Sequence, residues 1–428
     1  MKSYERIDGC NILEIAQNYP TPTYLLSWEG IYEKAQQFKE CFLDKYESVD
    51  VYYASKAFLC KGMCKIVERF GFGLDVVSGG EIYTAYKSGF PMDRVMFHGN
   101  NKSLEEISDA LLLGVGRIVV DNEIELENLI ELSEKLGKKI KLLLRVSPHL
   151  ESKDIDTHHF ITTGQVDTKF GFLLEKSSLK SIIQKVLKSN FLEFVGLHSH
   201  IGSQIQNFQI YEKCAVVMSA LVCELTREMN IEIQELNMGG GYGIVYDNPT
   251  LTKDVDFFLS PMMQKLEEEF SKFKIKRPKI IIEPGRFLIA EAGHTIYRIG
   301  ANKDIKEIRK FLFIDGGMAD NMRVALYQAR YSASVIHPKE EREREFVTIA
   351  GRFCETGDIL IKDIELERAE IGDILMIHST GAYNFSMFSH YNRFRRPPVL
   401  LLKDGKVIEM VKAESYEELI ALDCDIEL

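Results

Sequence analysis

Five places along the chain carry residue types that can do chemistry, and each lies at the end of a short apolar run. Lys56 directly follows Tyr52-Tyr53-Ala54-Ser55. An amine held at the mouth of an apolar strand is desolvated, which lowers its pKa and frees it for imine chemistry. Taken alone, such a residue is more often an ordinary surface lysine. Asp75 sits inside Leu74-Asp75-Val76-Val77, where a buried carboxylate needs a partner such as Lys56 or a histidine. Ser78-Gly79-Gly80-Glu81 after it reads as a helix cap with turn glycines.

His198 and His200 stand two apart on a strand-like run and so share a face. They could be a metal pair, or one ring stacked on a planar cofactor with the other packed below. No third ligand with suitable spacing accompanies them, which makes metal the weaker option. Gly239-Gly240-Gly241-Tyr242-Gly243 opens the backbone so that its N–H groups can wrap a phosphate, although the spacing is not that of a dinucleotide fingerprint. The bland alternative is a flexible turn. Glu283 ends Ile280-Ile281-Ile282 and must be paired, either with Arg286 in an ion pair or with a protonated ring nitrogen. A lysine for an imine, a phosphate cradle, a carboxylate for a pyridinium and a histidine for stacking together make a pyridoxal 5'-phosphate site, with no metal required.

The elements that must position these residues alternate. Strand candidates are Val51–Ala54, Leu74–Val77, Arg94–His98, Arg117–Asp121, Lys139–Val146, Phe194–His200, Ile233–Met238 and Lys279–Glu283. Their few polar residues suit strands buried on both faces. Helical stretches lie between them: Cys60–Phe70, Gly80–Lys87, Ser103–Leu113, Asn122–Leu136, Ser178–Lys188, Ile210–Met229 and Phe257–Phe273. Ser103 with Glu106 three residues on is a capping-box pattern. Eight strands, each but the last followed by a helix, predict an α/β fold of the (β/α)8 barrel type, whose catalytic groups gather at the C-terminal ends of the strands. One long loop, Pro148–Phe172, interrupts it, and loops of that length tend to be functional.

After Arg286 the pattern becomes short strands separated by turn residues, which predicts an antiparallel β-rich C-terminal domain. The boundaries expected are an N-terminal segment 1–33 joining the β domain through Thr23–Leu26, a barrel 34–286 and a β domain 287–428.

The 428 residues are 45% hydrophobic and 27% charged, ordinary globular values that exclude a disordered chain. Lys+Arg 53 against Asp+Glu 64 gives a net charge of −11, which argues against a nucleic-acid surface. Apolar stretches such as Ala110–Val115 are too short to span a bilayer, and Met1–Arg6 lacks the apolar core of a signal peptide. The eight cysteines contain no C-x-x-C and read as free thiols. A cytoplasmic protein that binds neither nucleic acid nor membrane is the expectation.

Phe72–Glu81, His198–Gln204, Gly239–Gly243 and Glu283–Arg286 recur as a set with Asp315-Gly316-Gly317-Met318, Arg323–Tyr327, Cys354–Asp358 and Gly381-Ala382-Tyr383. Over nearly the whole chain this set resembles the fold-type III pyridoxal-phosphate decarboxylases, and within them the branch acting on meso-diaminopimelate. The resemblance implies that Lys56 is the Schiff-base lysine and that His200 stacks on the cofactor ring. It implies that Ser203, Gly239, Gly240, Gly241 and Tyr383 hold the phosphate, and that Glu283 keeps the pyridine nitrogen protonated. Asp75, Pro284, Gly285 and Arg286 belong to the same cofactor site. Arg286, Arg323, Tyr327, Glu355 and Tyr383 would bind an amino-acid substrate. Cys354 would be the proton donor, reaching the active site of the partner subunit in an obligate homodimer with shared sites.

The physics suits these roles. Arginine forks clamp carboxylates, and Glu355 can take a distal ammonium. A thiol can return a proton to the carbon that has lost CO2. For Cys354 the commoner fate of the residue type is a buried core position, but the adjacent turn residues favour function. Within Pro148–Phe172, His158-His159 and Lys169-Phe170-Gly171 resemble the family's segment near the substrate entrance and imply a lid or specificity role. Ser55, Phe58, Ser199, Arg352 and Asn384 depart from the family's usual residues, and none of these departures removes a catalytic group.

Three rival functions share the fold. A decarboxylase of ornithine, lysine, arginine or carboxynorspermidine has less need of Glu355 with Arg323 and Tyr327. A racemase of the alanine type places an arginine at the pyridine nitrogen, where this chain has Glu283. A non-catalytic binder tends to lose the cofactor residues, and here all are present.

Overall fold

The eight apolar runs close into a parallel barrel. In the computed structural model, which describes residues 5–150, 168–337 and 342–428, the strands are Val49–Ala54, Gly73–Val76, Val95–Phe97, Arg117–Val120, Ile140–Arg145, Leu192–His198, Glu235–Asn237 and Lys279–Ile282. Each pairs in parallel with its neighbours, and the eighth pairs with the first. The expected helices form between them. Ser103 makes the capping box with Glu106, and the Asn122 side chain caps Glu123–Leu136. A one-turn helix, Arg286–Ile289, follows the eighth strand where none was expected. The Pro284-Gly285 turn is followed by a fully buried run that folds onto itself. Most of the Pro148–Phe172 loop, including His158 and His159, lies outside the described residues.

Tyr52, Met96, Val119, Leu143, Val195 and Ile281 fill the barrel interior as one buried cluster. Below it, at the strand starts, lies a polar floor. Arg117 forks onto Glu235 at 2.6 and 2.7 Å and reaches the Tyr52 hydroxyl at 3.1 Å. Arg94 forks onto Asp50 at 2.9 and 3.0 Å. Charge pairs at this end serve stability, since chemistry in such barrels sits at the opposite end.

The barrel belongs to a unit of Ala35–Ile244 and Lys253–Phe287. The second unit comprises Met1–Lys34, Val245–Thr252 and Leu288–Leu428. It is built on a sheet in the order Ile359–Glu367, Arg344–Ala350, Arg309–Ile314, Gly293–Ile305, Thr23–Ser27, Val399–Lys403 and Lys406–Val411. Ile374–Ile377 pairs with both Gly293–Ile305 and Ala333–Ile336. The N-terminal strand Thr23–Ser27 therefore does sit in this sheet.

The sheet is mostly antiparallel, as expected, with two parallel pairings. Arg309–Ile314 with Arg344–Ala350, and Thr23–Ser27 with Val399–Lys403, are parallel. Both join strands distant in sequence, where no hairpin turn dictates direction. Ile12, Ile15, Leu25, Ile296, Met376 and Leu400 form part of the unit's core. Among the described residues no helix is long and apolar enough to cross a membrane, and all eight cysteines are free.

The floor and the mouth of the barrel are separable. Glu235→Ala leaves the Arg117 guanidinium half-buried without its carboxylate, a loss expected to cost about 3–5 kcal/mol. Urea denaturation should show that fall while the activity per folded molecule stays unchanged. Equal stability of variant and parent would show that the pair contributes nothing net.

Candidate active site

The C-terminal ends of the strands bring together a carboxylate and its donors. Glu283 is 6% exposed just past the eighth strand. Its Oε1 accepts from Asn237 Nδ2 at 2.6 Å, and its Oε2 lies 3.1 Å from His198 Nε2. His98 Nε2 lies 2.9 Å from Oε1. Burial alone would push this carboxyl up, but the two imidazoles hold it well below the usual carboxylate range. It is an anion at neutral pH. The His198 ring is driven the other way, to about 4, by burial, so it stays neutral and donates its Nε2–H.

His98, His198 and Glu283 place ligand-type atoms within 4.8 Å of one another. The third group that spacing along the chain did not offer is thus supplied across the barrel. Asn237 decides how to read it. Its Oδ1 accepts from the Gly239 N–H at 2.9 Å, which fixes the amide so that Nδ2–H faces Glu283. A donor aimed at the same carboxylate oxygen makes Glu283 a hydrogen-bond acceptor poised for another N–H, rather than a cation ligand.

Asp75, 2% exposed, lies within the second strand with Oδ1 3.6 Å from His98 Nε2 and without a hydrogen-bond partner. Burial raises its pKa. Glu81 accepts from the Val77 N–H at 2.6 Å, and burial lifts its carboxyl to about 7. Lys56 stands at the end of the first strand, and its charge is felt at Asp75, Glu81 and His200. The strand stops at Ala54, and a short helical turn carries the exposed Lys56 to the open face of the mouth.

The two histidines of the sixth strand part company. The strand ends at His198, so alternation no longer governs His200. The His200 Nδ1 instead lies 3.4 Å from the Gly240 N–H. Burial, with the Lys56 charge, keeps this ring's pKa well below 6.5.

At the seventh strand end, a Cβ on Gly240 would lie 2.0 Å from the Glu283 carbonyl oxygen, and one on Gly241 (φ +101°) 2.2 Å from that of Gly202. The glycines therefore let two backbones touch. The Gly239 N–H is given to Asn237, and the Gly240 N–H leans on His200. Beside Gly241, Arg286 donates to Ser203 Oγ at 2.9 Å, a guanidinium and a hydroxyl suited to an anion. The Pro284 carbonyl accepts from the Ala54 N–H at 3.0 Å, and Gly285 packs on Ala54 and Ala57, which ties the eighth strand end to the lysine turn.

Three strand-end residues outside the sequence expectation also reach the mouth: His98, Asp121 and Arg145. The Arg145 Nε lies 3.8 Å from Asp121 Oδ1, and its guanidinium stacks 4.4 Å from the Phe170 ring. Its charge acts on Asp75, Glu283, His198 and His200. The strand-end rule that singles out Glu283 applies equally to the third, fourth and fifth strands.

The remaining expected residues lie in the second unit. Arg323 is 5% exposed at the start of a one-turn helix that ends at Tyr327. It donates to the Tyr331 hydroxyl at 2.5 Å and lies 4.4 Å over the Tyr246 ring. Tyr383, half-buried at φ +62°, is close enough to act on the Arg323 charge. Asn384, where the sequence departs from its family, is buried and accepts from the Tyr331 hydroxyl at 3.3 Å. Cys354 and Glu355 are exposed on a loop between Gly351 and Asp358, so the core reading of this cysteine does not hold.

Comparison with known proteins agrees with this layout. Residues 29–290 match the family model described as pyridoxal-dependent decarboxylase, pyridoxal binding domain. The chain is 40% identical to the diaminopimelate decarboxylase of Bacillus subtilis over 97% of its own length and 94% of the relative's. It is likewise 40% identical to that of Staphylococcus aureus, covering 97% of both. The chain belongs to the diaminopimelate decarboxylase family. The solved structure of a family member from M. jannaschi superposes with a TM-score of 0.91 at 32% identity, covering 98% of this chain and 96% of that one. Another, from Helicobacter pylori in complex with L-lysine, gives 0.87 at 31% identity, covering 96% and 99%.

The neutral His198 ring makes stability pH-dependent. The unfolded imidazole takes a proton near 6.5, whereas the folded one resists until about 4. The folded state thus binds fewer protons in that window, and stability falls as pH drops through it. The expected contribution is about 3 kcal/mol at most. Between pH 7 and pH 4.5 the urea midpoint should fall more steeply in the parent protein than in His198→Gln. Parallel slopes would mean that the ring is not held neutral.

Proposed function

We propose that this protein is a pyridoxal 5'-phosphate-dependent decarboxylase that converts meso-2,6-diaminopimelate to L-lysine and CO2. The observation that carries the reading is Glu283, an anion at neutral pH, hydrogen-bonded by Asn237 and His198, approached to 2.9 Å by His98 Nε2, and aimed into a mouth that also holds Lys56. The mouth fits the cofactor. Asp75 has a buried carboxylate oxygen without a hydrogen-bond partner, and the Arg286 guanidinium beside Ser203 suits a phosphate. When bound, pyridoxal phosphate supplies a cationic ring that accepts the electrons released with CO2.

The chain's own residues do the rest. Lys56 holds the cofactor covalently through Nζ. Ser203, Arg286 and the Gly239–Gly241 turn, with Tyr383, hold its phosphate. Glu283 keeps a proton on the ring nitrogen, because a buried carboxylate anion stabilises a neighbouring N–H⁺. His200 packs on the ring face. Arg323, whose Nε lacks a hydrogen-bond partner, meets a substrate carboxylate with its fork, together with Tyr327. Glu355 takes the distal ammonium.

Cys354 returns the proton. Its S–H bond breaks as the new C–H bond forms, and the thiolate regains a proton from solvent. An exposed thiol suits delivery into a partner's site, which supports a homodimer with shared active sites. A working thiol also suits a reducing, cytoplasmic compartment.

A CO2-release panel on the cofactor-loaded protein tests the reading. meso-Diaminopimelate should be decarboxylated far faster than ornithine, L-lysine or arginine. Lys56→Ala should abolish release and the cofactor's tethered visible absorbance, and Glu283→Gln should cost about a hundredfold or more in kcat. A preference for ornithine, or D-amino acid without CO2, would reject the assignment.

A further inference from the structure

Cys354 is exposed, yet its backbone is fully engaged. Its N–H donates to Asn392 Oδ1 at 2.9 Å, and its C=O accepts from the Tyr391 hydroxyl at 3.1 Å. Two consecutive residues from a distant part of the chain thus grip both polar backbone groups of one cysteine. The grip has a conformational cost. Asn392 and Arg393 are both left-handed, at φ +54° and +59°, a conformation that asparagine tolerates and that is strained for arginine. Backbone strain of this kind persists only where the surroundings over-determine it.

The loop that bears the cysteine is fixed at its base as well. Asp358, 3% exposed, accepts from the Met318 N–H at 2.6 Å and the Phe353 N–H at 2.9 Å, and its own carbonyl accepts from the Gly351 N–H at 2.9 Å. Phe353 stacks on Tyr391 at 6.1 Å between centroids and meets Phe394 edge-on at 5.0 Å. A solvent-facing loop with no task has no need of these restraints.

We propose that Asn392 and Tyr391 are positioning residues that aim the Cys354 thiol for proton delivery. The inference rests on Cys354 being the proton donor. A misplacement of the order of 1 Å can cost about a hundredfold in rate. The clamp therefore acts on the proton-transfer step and leaves substrate affinity alone.

The test uses the cofactor-loaded dimer and the variants Asn392→Ala, Asn392→Asp, Tyr391→Phe and Cys354→Ala, with thermal melts to confirm folding. Asn392→Ala and Tyr391→Phe should lower kcat about tenfold or more with KM nearly unchanged. Lysine formed in D2O should then carry deuterium in both configurations of the new methylene, where the parent gives one. Asn392→Asp keeps the acceptor and should restore both readouts. Iodoacetamide should modify Cys354 at a changed rate in Asn392→Ala and at the parent rate in Asn392→Asp. If Cys354→Ala is crippled while Asn392→Ala and Tyr391→Phe keep the parent kcat and a single configuration, the clamp is overturned. If Cys354→Ala keeps the parent kcat, the donor assignment itself fails, and the clamp with it.

Discussion

Everything in the barrel mouth depends on keeping one carboxylate charged where burial opposes charge. Glu283 has left most of its hydration behind, and that loss favours protonation. A neutral Glu283 could not hold a proton on a ring nitrogen. The structure offsets desolvation with two donors, Asn237 from the seventh strand and His198 from the sixth, and with the His98 ring, just past the third, whose Nε2 lies 2.9 Å away. None of the three brings a permanent positive charge. A lysine or arginine at the same place would neutralise the carboxylate and spoil it for a cationic ligand. Imidazole and amide donors stabilise the anion while leaving its charge to be used, and the lowered pKa of His198 shows the ring settling into that neutral role.

That requirement explains the backbone around it. Asn237 can present its N–H to Glu283 only because its carbonyl oxygen is held by the Gly239 N–H. Gly239 in turn accepts, through its own carbonyl, the Glu283 N–H at 2.8 Å. The seventh and eighth strand ends are therefore locked together around the carboxylate, and the contact is so close that a Cβ at Gly240 would overlap the Glu283 carbonyl. The triple glycine is a consequence of orienting the acid.

Much of this was legible from the residues. The apolar runs, their spacing and the capping signals at Ser103 and Asn122 describe local choices, and the barrel is the sum of them. Lys56, Asp75 and Glu283 could be read because a polar group at the end of a buried strand is costly without a task. His98, Asp121 and Arg145 obey the same rule, and their chemistry shows only once the strands are side by side. The partners of Glu283 are separated from it by 46 to 185 positions, a distance no local pattern encodes. The parallel pairings of the β unit escape sequence for the same reason, since strand direction there is set by tertiary contact. The exposure of Lys56 depends on where one strand stops, a boundary that composition leaves open by a residue or two.

The two groups proposed to hold and to deliver a proton are held by opposite means. Glu283 is immobilised by burial, so that its environment sets its charge. Cys354 sits in solvent, and burial cannot position it. A proton donor that must be recharged after each turnover gains from that exposure, because the thiolate has to meet water again. It loses the restraint that packing gives for free. The structure replaces packing with hydrogen bonds to the backbone, using Asn392 and Tyr391 against the cysteine and Asp358 at the base of its loop. Backbone restraints fix where the side chain begins without touching the sulfur, so the thiol keeps its access to solvent.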